Sequence, residues 1–255
     1  MLSYPESALD EQIPAGQGEP PREHPLPIRS WGLYAGLSLT LALSACGGPL
    51  GEGTDDDAAA AALLHDAQLI SFEDAEVMPE GSEAGVYSDL VTVQYSEQVR
   101  DTTELDKPAC LDAAGRWADT DAVQSAPASL TSYAWEQGSL THLLIRLDEE
   151  GAATALASRP PADCATYTAT YEDGTSSGYR VRDLTELPTL GDESRGFSVD
   201  VDTAGETSHM YSIMYRNGDL LGTTSIMGQG SLEDYREMLV GFTRAAVDRQ
   251  QEKLG

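Results

Sequence analysis

Few side chains in this sequence have the type and spacing to do chemistry. They are His142 and His209, the run Gly174-Thr175-Ser176-Ser177-Gly178, the acidic stretch beginning at Asp200, and the cysteines Cys46, Cys110 and Cys164. Gly-x-Ser-x-Gly is the pattern of a nucleophile elbow, where a sharp strand-to-helix turn exposes the serine. Here the run lies between two strand-like segments, which predicts a polar hairpin loop instead. His142 and His209 have the chemistry of general bases, but each sits inside a strand-like segment and no partner is assignable. Asp200-Val201-Asp202 begins like a calcium loop. An EF-hand requires an oxygen ligand at the fifth position and glutamate at the twelfth, and Ala204 and Tyr211 stand there. His209, Met210 and Met214 offer ligands for a soft metal such as copper. Strand alternation sends His209 to the face opposite both methionines. The expectation is therefore no catalytic residue, no metal site and no cofactor.

Binding is easier to place than catalysis. Tyr133, Trp135, Tyr167, Tyr171, Tyr211 and Tyr215 all fall on expected strands. Aromatics at such positions usually pack in a core, and those that do not could line a pocket for an apolar or sugar-like ligand. Asp192, Glu193 and Arg195 follow a Leu-Pro segment and a glycine, as a turn capping the next strand or a loop at the mouth of a cleft.

The elements that must position these residues read as α+β. Residues 61–69 suit a short helix, 89–99 a strand or irregular connection, and 107–118 a helix with Pro108 in its first turn. Residues 129–137 and 140–148 flank Gly138-Ser139 as a hairpin. Residues 149–159 form a short helix ended by Pro160-Pro161. Strands follow over 164–172, 177–187, 196–203, 207–216 and 220–228. Asp173-Gly174 marks one turn and Asn217-Gly218 another, the latter the strongest hairpin signal in the chain. Ser231 and Asp234 make a capping-box pattern. Leu232, Tyr235, Leu239, Phe242 and Ala246 then recur at helical spacing, and that stripe must pack on the sheet. The expectation is a twisted antiparallel, meander-like sheet with short helices and a C-terminal helix packed on it. The hairpins argue against a doubly wound parallel sheet.

The 43 acidic residues outnumber the 15 basic ones, for a net charge of −28. Such a surface repels nucleic acid, which excludes that partner. It favours solubility, or it collects cations or a basic partner.

Residues 31–45 carry no charge and follow Arg29. The stretch is short for a span, which needs about 20 residues, and has the length of a secretory signal's apolar region. Leu43-Ser44-Ala45-Cys46 then resembles the lipobox of bacterial lipoproteins. The resemblance implies cleavage before Cys46 and acylation of its thiol, so that the protein meets the membrane through a lipid anchor. Residues 47–62 are polar, glycine- and alanine-rich, as a tether should be. The expected organisation is a signal peptide over 1–45, a lipidated cysteine and tether over 46–61, and one extracytoplasmic domain over 62–255. The leader departs from the usual pattern in being long and in carrying five acidic residues before Arg29. With Cys46 lipidated, Cys110 and Cys164 remain. Outside the membrane a disulfide is permitted, and pairing them closes a loop of roughly 54 residues, worth about 4 kcal/mol in the chain-entropy model. The alternative is two separate buried thiols.

From about Leu63 onward the order of elements resembles the extracytoplasmic sensor-like domain of actinobacterial serine/threonine kinases, and free lipoproteins of that type. The residues that carry it are Pro108-Ala109-Cys110 opening a helix, the route to Cys164, the segment 187–197 with Gly191-Asp192-Glu193-Ser194, and the segment 215–228 before the final helix. The resemblance implies a twisted antiparallel sheet, a disulfide, a cleft and a sensing role for an unidentified ligand. No kinase domain is expected within these 255 residues. The leading expectation is a non-catalytic lipoprotein that binds a small molecule or protein partner at the extracytoplasmic side of the cell membrane. The alternatives are an envelope hydrolase, which a converging nucleophile and histidine would favour, and an acidic assembly factor docking a basic partner on a flat face.

Overall fold

The computed structural model describes residues 55–255 except Asp112; Cys46, the expected signal peptide and the first part of the tether lie outside the described residues. In chain order the chain forms α1 (Asp55–Asp66), β1 (Ser71–Phe72), β2 (Ala75–Val86), α2 (Val91–Asp101), β3 (Glu104–Leu105), α3 (Asp121–Gln124), β4 (Pro127–Trp135) and β5 (Gly138–Arg146). It continues with α4 (Glu149–Ala157), β6 (Thr166–Thr170), β7 (Ser176–Leu184), β8 (Glu193–Thr203), β9 (Glu206–Asn217), β10 (Leu220–Gly228) and α5 (Leu232–Leu254).

All ten strands join one antiparallel sheet in the order β1-β2-β4-β5-β10-β9-β8-β7-β6-β3. Strands β6 to β10 form an uninterrupted meander, and the segment containing α4 carries the chain from β5 to β6. The fold is α+β, as the hairpin signals predicted. Two turns sit one or two residues away from the expected positions. Asn217 pairs with Leu220, so the turn residues between β9 and β10 are Gly218 and Asp219. Trp135 pairs with Gly138, so Glu136 and Gln137 turn the β4–β5 hairpin. Position 138 takes glycine for a steric reason: a Cβ there would lie 2.6 Å from the Met227 carbonyl oxygen of β10.

Strand alternation gives the sheet two apolar faces, and each is covered. On one face α5 buries Tyr235, Leu239, Phe242 and Ala246 of the predicted stripe, together with Met238 and Val247, over Tyr133, Leu144, Ile213 and Ile226, while Leu232 is only partly buried; Leu64 and Ala67 of the α1 region join them. Its start is fixed by a reciprocal cap, with Ser231 Oγ accepting from the Asp234 N–H and the Asp234 carboxylate accepting from the Ser231 N–H. On the other face Val181, Phe197, Val199, Met214 and Leu221 pack beneath α2, α4 and the Cys110 and Cys164 segments.

Three segments differ from expectation. Residues 55–61, read as tether, belong to α1, whose first turn is Asp55, Asp56 and Asp57 and whose Ala61 is buried. Aspartates at a helix N-terminus and a following alanine run favour a helix. Residues 89–99, read as strand or connection, fall mostly on helix α2. Both carboxylate oxygens of Glu83 accept from the Thr92 N–H at 3.2 Å, capping its first turn. The signal was weak because its outer side exposes Val91 and Tyr95. The expected helix over 107–118 is instead two short 3₁₀ turns, Pro108–Cys110 and Arg116–Asp119, the first ending at the Cys110 that meets Cys164.

Candidate functional site

His142 lies on the face covered by α5 and is completely buried. Its Nδ1 is 2.6 Å from Gln68 Oε1 and its Nε2 is 2.7 Å from the Tyr215 hydroxyl. Gln68 Nε2 donates to the Ser129 carbonyl at 3.0 Å, which orients the amide so that Oε1 faces the imidazole. His142 Nδ1 therefore donates, and Nε2 accepts the Tyr215 proton. Gln250 Nε2 completes the chain by donating to the Tyr215 oxygen at 2.6 Å. Burial holds the imidazole neutral, with its pKa pushed down to about 3, and burial raises the Tyr215 hydroxyl. Both ring nitrogens are occupied inside the core, so His142 has no free lone pair for a substrate.

The six aromatic candidates divide between the two faces. Tyr133, Trp135, Tyr211 and Tyr215 belong to the α5-side core, where Tyr133 and Tyr215 have no exposure and Trp135 meets Tyr235 edge-on. Tyr167 and Tyr171 lie on the opposite face, with Tyr179. The rings of Tyr167 and Tyr179 are parallel, with centroids 4.9 Å apart, and the Tyr171 and Tyr179 hydroxyls hydrogen-bond. Burial and its tyrosine neighbours raise the Tyr179 pKa. These three rings form one end of a cleft of about 380 Å³. Its floor is Val199, Val201 and Met210 from β8 and β9, and its opposite wall is Val99, Leu105, Leu111 and Ala114. Sequence reading missed Tyr179. It was legible by reflection through the Asp173-Gly174 turn, because Tyr167 pairs directly with Tyr179 across the β6–β7 hairpin.

Cys110 and Cys164 meet beside this cleft. Their sulfurs are 2.10 Å apart, bonding distance for a disulfide, and their Cα atoms 5.3 Å. Both are buried. The link fastens the Pro108–Cys110 turn, which carries the cleft wall, to the start of β6, which carries Tyr167.

Of the remaining candidates, His209, Asp200 and Asp202 line one cavity of about 450 Å³ with Lys107 and Arg180, and Ser176 and Ser177 lie outside its lining. Ser176 and Ser177 begin β7 within the hairpin, and Ser177 Oγ bonds Thr203 Oγ1 at 2.6 Å. No helix follows them, so the elbow geometry is missing. Ala204 and Gly205 form the β8–β9 turn, both with positive φ. His209 Nδ1 is 2.8 Å from Asp200 Oδ1, and Arg182 donates to the other Asp200 oxygen. Met210 and Met214 lie on the opposite face from His209, Met214 fully buried. Among the described residues no group of three or more histidine, cysteine, aspartate or glutamate side chains has the arrangement of a metal site.

Gly191 and Asp192 tie the β7–β8 connection to the β9–β10 turn. The Asp192 N–H donates to the Arg216 carbonyl and its carboxylate accepts from the Gly218 N–H, both at 2.8 Å. Gly191 has φ +65°, and a Cβ there would sit 2.4 Å from the Arg216 oxygen. This is a structural clamp, and it fixes where the following Ser194 and Arg195 enter β8.

No protein-family profile matches the chain, and no curated protein matches it. Among solved structures it is similar to the extracellular domain of PknH from Mycobacterium tuberculosis, at 9% identity and a TM-score of 0.49, covering 75% of this chain and 96% of that one. It is also similar to an uncharacterised Mycobacterium smegmatis protein described as the Rv0999 ortholog, at 14% identity and a TM-score of 0.36, covering 65% of this chain and 96% of that one.

Proposed function

We propose that this protein is a non-catalytic binding lipoprotein, anchored through an acylated Cys46 on the extracytoplasmic side of the cell membrane, with a sensor-like domain that takes an apolar ligand. Residues 1–45 serve as the signal peptide. Since α1 starts at Asp55, the tether is residues 46–54 and the folded domain begins at about 55 instead of 62. The observation that carries the binding role is the cleft of about 380 Å³ between the tyrosine cluster and the wall at Val99, Leu105 and Leu111. Ligand sites are concave and mostly apolar, with a few polar groups that orient the ligand; the tyrosine hydroxyls supply those. A non-catalytic role is supported by His142, which is sealed in the core with both ring nitrogens hydrogen-bonded.

The test is titration of the full-length protein with the neutral fluorescent probe N-phenyl-1-naphthylamine. Leu111 is 42% exposed, so Leu111→Glu puts a charge on the cleft wall without opening the core. Saturable one-site binding, weakened roughly tenfold or more by Leu111→Glu because the apolar probe forces that charge to desolvate, supports the reading. Non-saturating enhancement, or equal affinity in the variant, removes it.

A further inference from the structure

A second cavity, separate from the tyrosine cleft, lies where the chain leaves β7 and enters β8. It measures about 270 Å³ and is lined by Arg159, Asp183, Thr185, Thr189, Ser194 and Arg195, with Leu187 and Pro188. In a chain of net charge −28, two arginines beside one small cavity call for a counter-charge, yet neither forms an ion pair with a carboxylate among the described residues.

Arg195 is held by soft partners only. Its Nη2 donates to Met214 Sδ at 3.2 Å, and its guanidinium carbon lies 5.4 Å from the centre of the Phe197 ring. Its Nε is buried and has no hydrogen-bond acceptor. Burial, followed by repulsion from Arg159, pulls its pKa down to about 10, with Asp183 opposing. Arg159 stands at the rim, steered by Nη1 donation to the Leu156 and Ser158 carbonyls at 2.8 and 3.2 Å. Ser194 Oγ accepts from the Leu190 N–H at 2.9 Å, which fixes the oxygen and leaves its own hydrogen to donate. Planar guanidinium groups and a hydroxyl donor suit an oxyanion, since arginine offers paired donors in a fixed fork. Asp183 is the one acidic group lining the cavity, so the local balance stays positive by one charge.

We infer that this cavity binds the carboxylate or phosphate group of a small ligand, with Arg195 and Ser194 as donors inside and Arg159 closing from the rim. The site is independent of the tyrosine cleft and stands or falls separately from it.

The experiment follows arginine side-chain Nε–H signals by NMR in the full-length protein, with inorganic phosphate and acetate titrated in separate arms at constant ionic strength. The Arg195 signal is assigned by its loss in Arg195→Lys. A saturable shift of that signal is expected in at least one arm, and the tighter arm identifies phosphate or carboxylate as the group recognised. Arg159→Gln, at an exposed rim position, should weaken that binding about tenfold through one lost charge-assisted contact. The proposal is overturned if neither anion moves the Arg195 signal saturably, or if Arg159→Gln binds as tightly as the wild type.

Discussion

Tyr215 donates its hydroxyl hydrogen to His142 Nε2 across 2.7 Å, and that bond exists only while the imidazole is neutral. The unfolded chain binds a proton on this histidine near pH 6.5, and the folded one near pH 3. Between those values the unfolded state holds more protons, so stability rises with pH. The contribution of His142 is complete above about pH 6.5 and is lost as pH falls toward 3. Over the step from pH 7 to pH 5 it amounts to about 2 kcal/mol. Urea unfolding at the two pH values should show this loss in the wild type and a smaller one in His142→Gln. An unchanged pH slope in the variant means the imidazole does not carry the effect.

Tyr215→Phe removes one oxygen that serves two buried partners, His142 and Gln250. His142 Nε2 and Gln250 Nε2 both lose that buried partner. A loss of about 1–3 kcal/mol is expected, read from the urea midpoint at pH 7. A change below about 0.5 kcal/mol, the size of an ordinary surface substitution, would show that water or a shifted Gln250 replaces the hydroxyl.

Cys110 and Cys164 should be recovered as one linked peptide pair under non-reducing conditions. Changing both to serine should cost about 4 kcal/mol for a loop of this length. Free thiols at both positions in protein isolated without reductant would remove the bond.

Gly191→Ala and Gly174→Ala should separate steric crowding from backbone strain. Both glycines have positive φ, but a Cβ at 174 meets nothing within 4 Å, whereas one at 191 meets the Arg216 oxygen at 2.4 Å. The substitution at 174 should cost about 1 kcal/mol. The one at 191 should cost at least about 2 kcal/mol more, because the Asp192 clamp must shift. Equal thermal midpoints for the two variants would contradict the clamp.

The anchor is tested by detergent phase partitioning together with the mass of the mature N-terminus. Wild type is expected in the detergent phase, beginning at an acylated Cys46, and Cys46→Ser in the aqueous phase. A wild-type chain that keeps residues 1–45 without lipid would sink the anchored location.

The sheet and α5 were legible because their signals are local: strict alternation over Phe197, Val199 and Val201, a capping box at Ser231, apolar residues at spacings of three and four. Helix α2 was not, because Val93 is its one buried residue, beside Leu90 just before it, and because it is capped by Glu83 from another element. The site was only half legible. Tyrosines could be assigned to strands, but assigning them to a face needs the register of the whole sheet. That register sends Tyr133 and Tyr215 to the core and Tyr167 to the cleft, where Tyr171, just past the end of β6 and not on a strand as expected, joins it. Gln68 and Gln250 could not be found at all: nothing in a glutamine's neighbours along the chain announces a histidine 74 residues away.

Both ends of the domain are fastened at one place. Arg249 of α5 donates to the carbonyls of Gln68 and Asp66 at the end of α1, at 2.7 and 3.1 Å, and Gln68 itself grips His142. Mechanically this makes the first helix a poor place to begin unravelling the chain. Tension entering at Asp55 loads several bonds side by side, from α1 to the last turns of α5 and to the middle of the sheet. They must break together, as in shear, before the short edge strand β1 can be peeled away. A domain pulled from its N-terminal end therefore resists through its C-terminal helix.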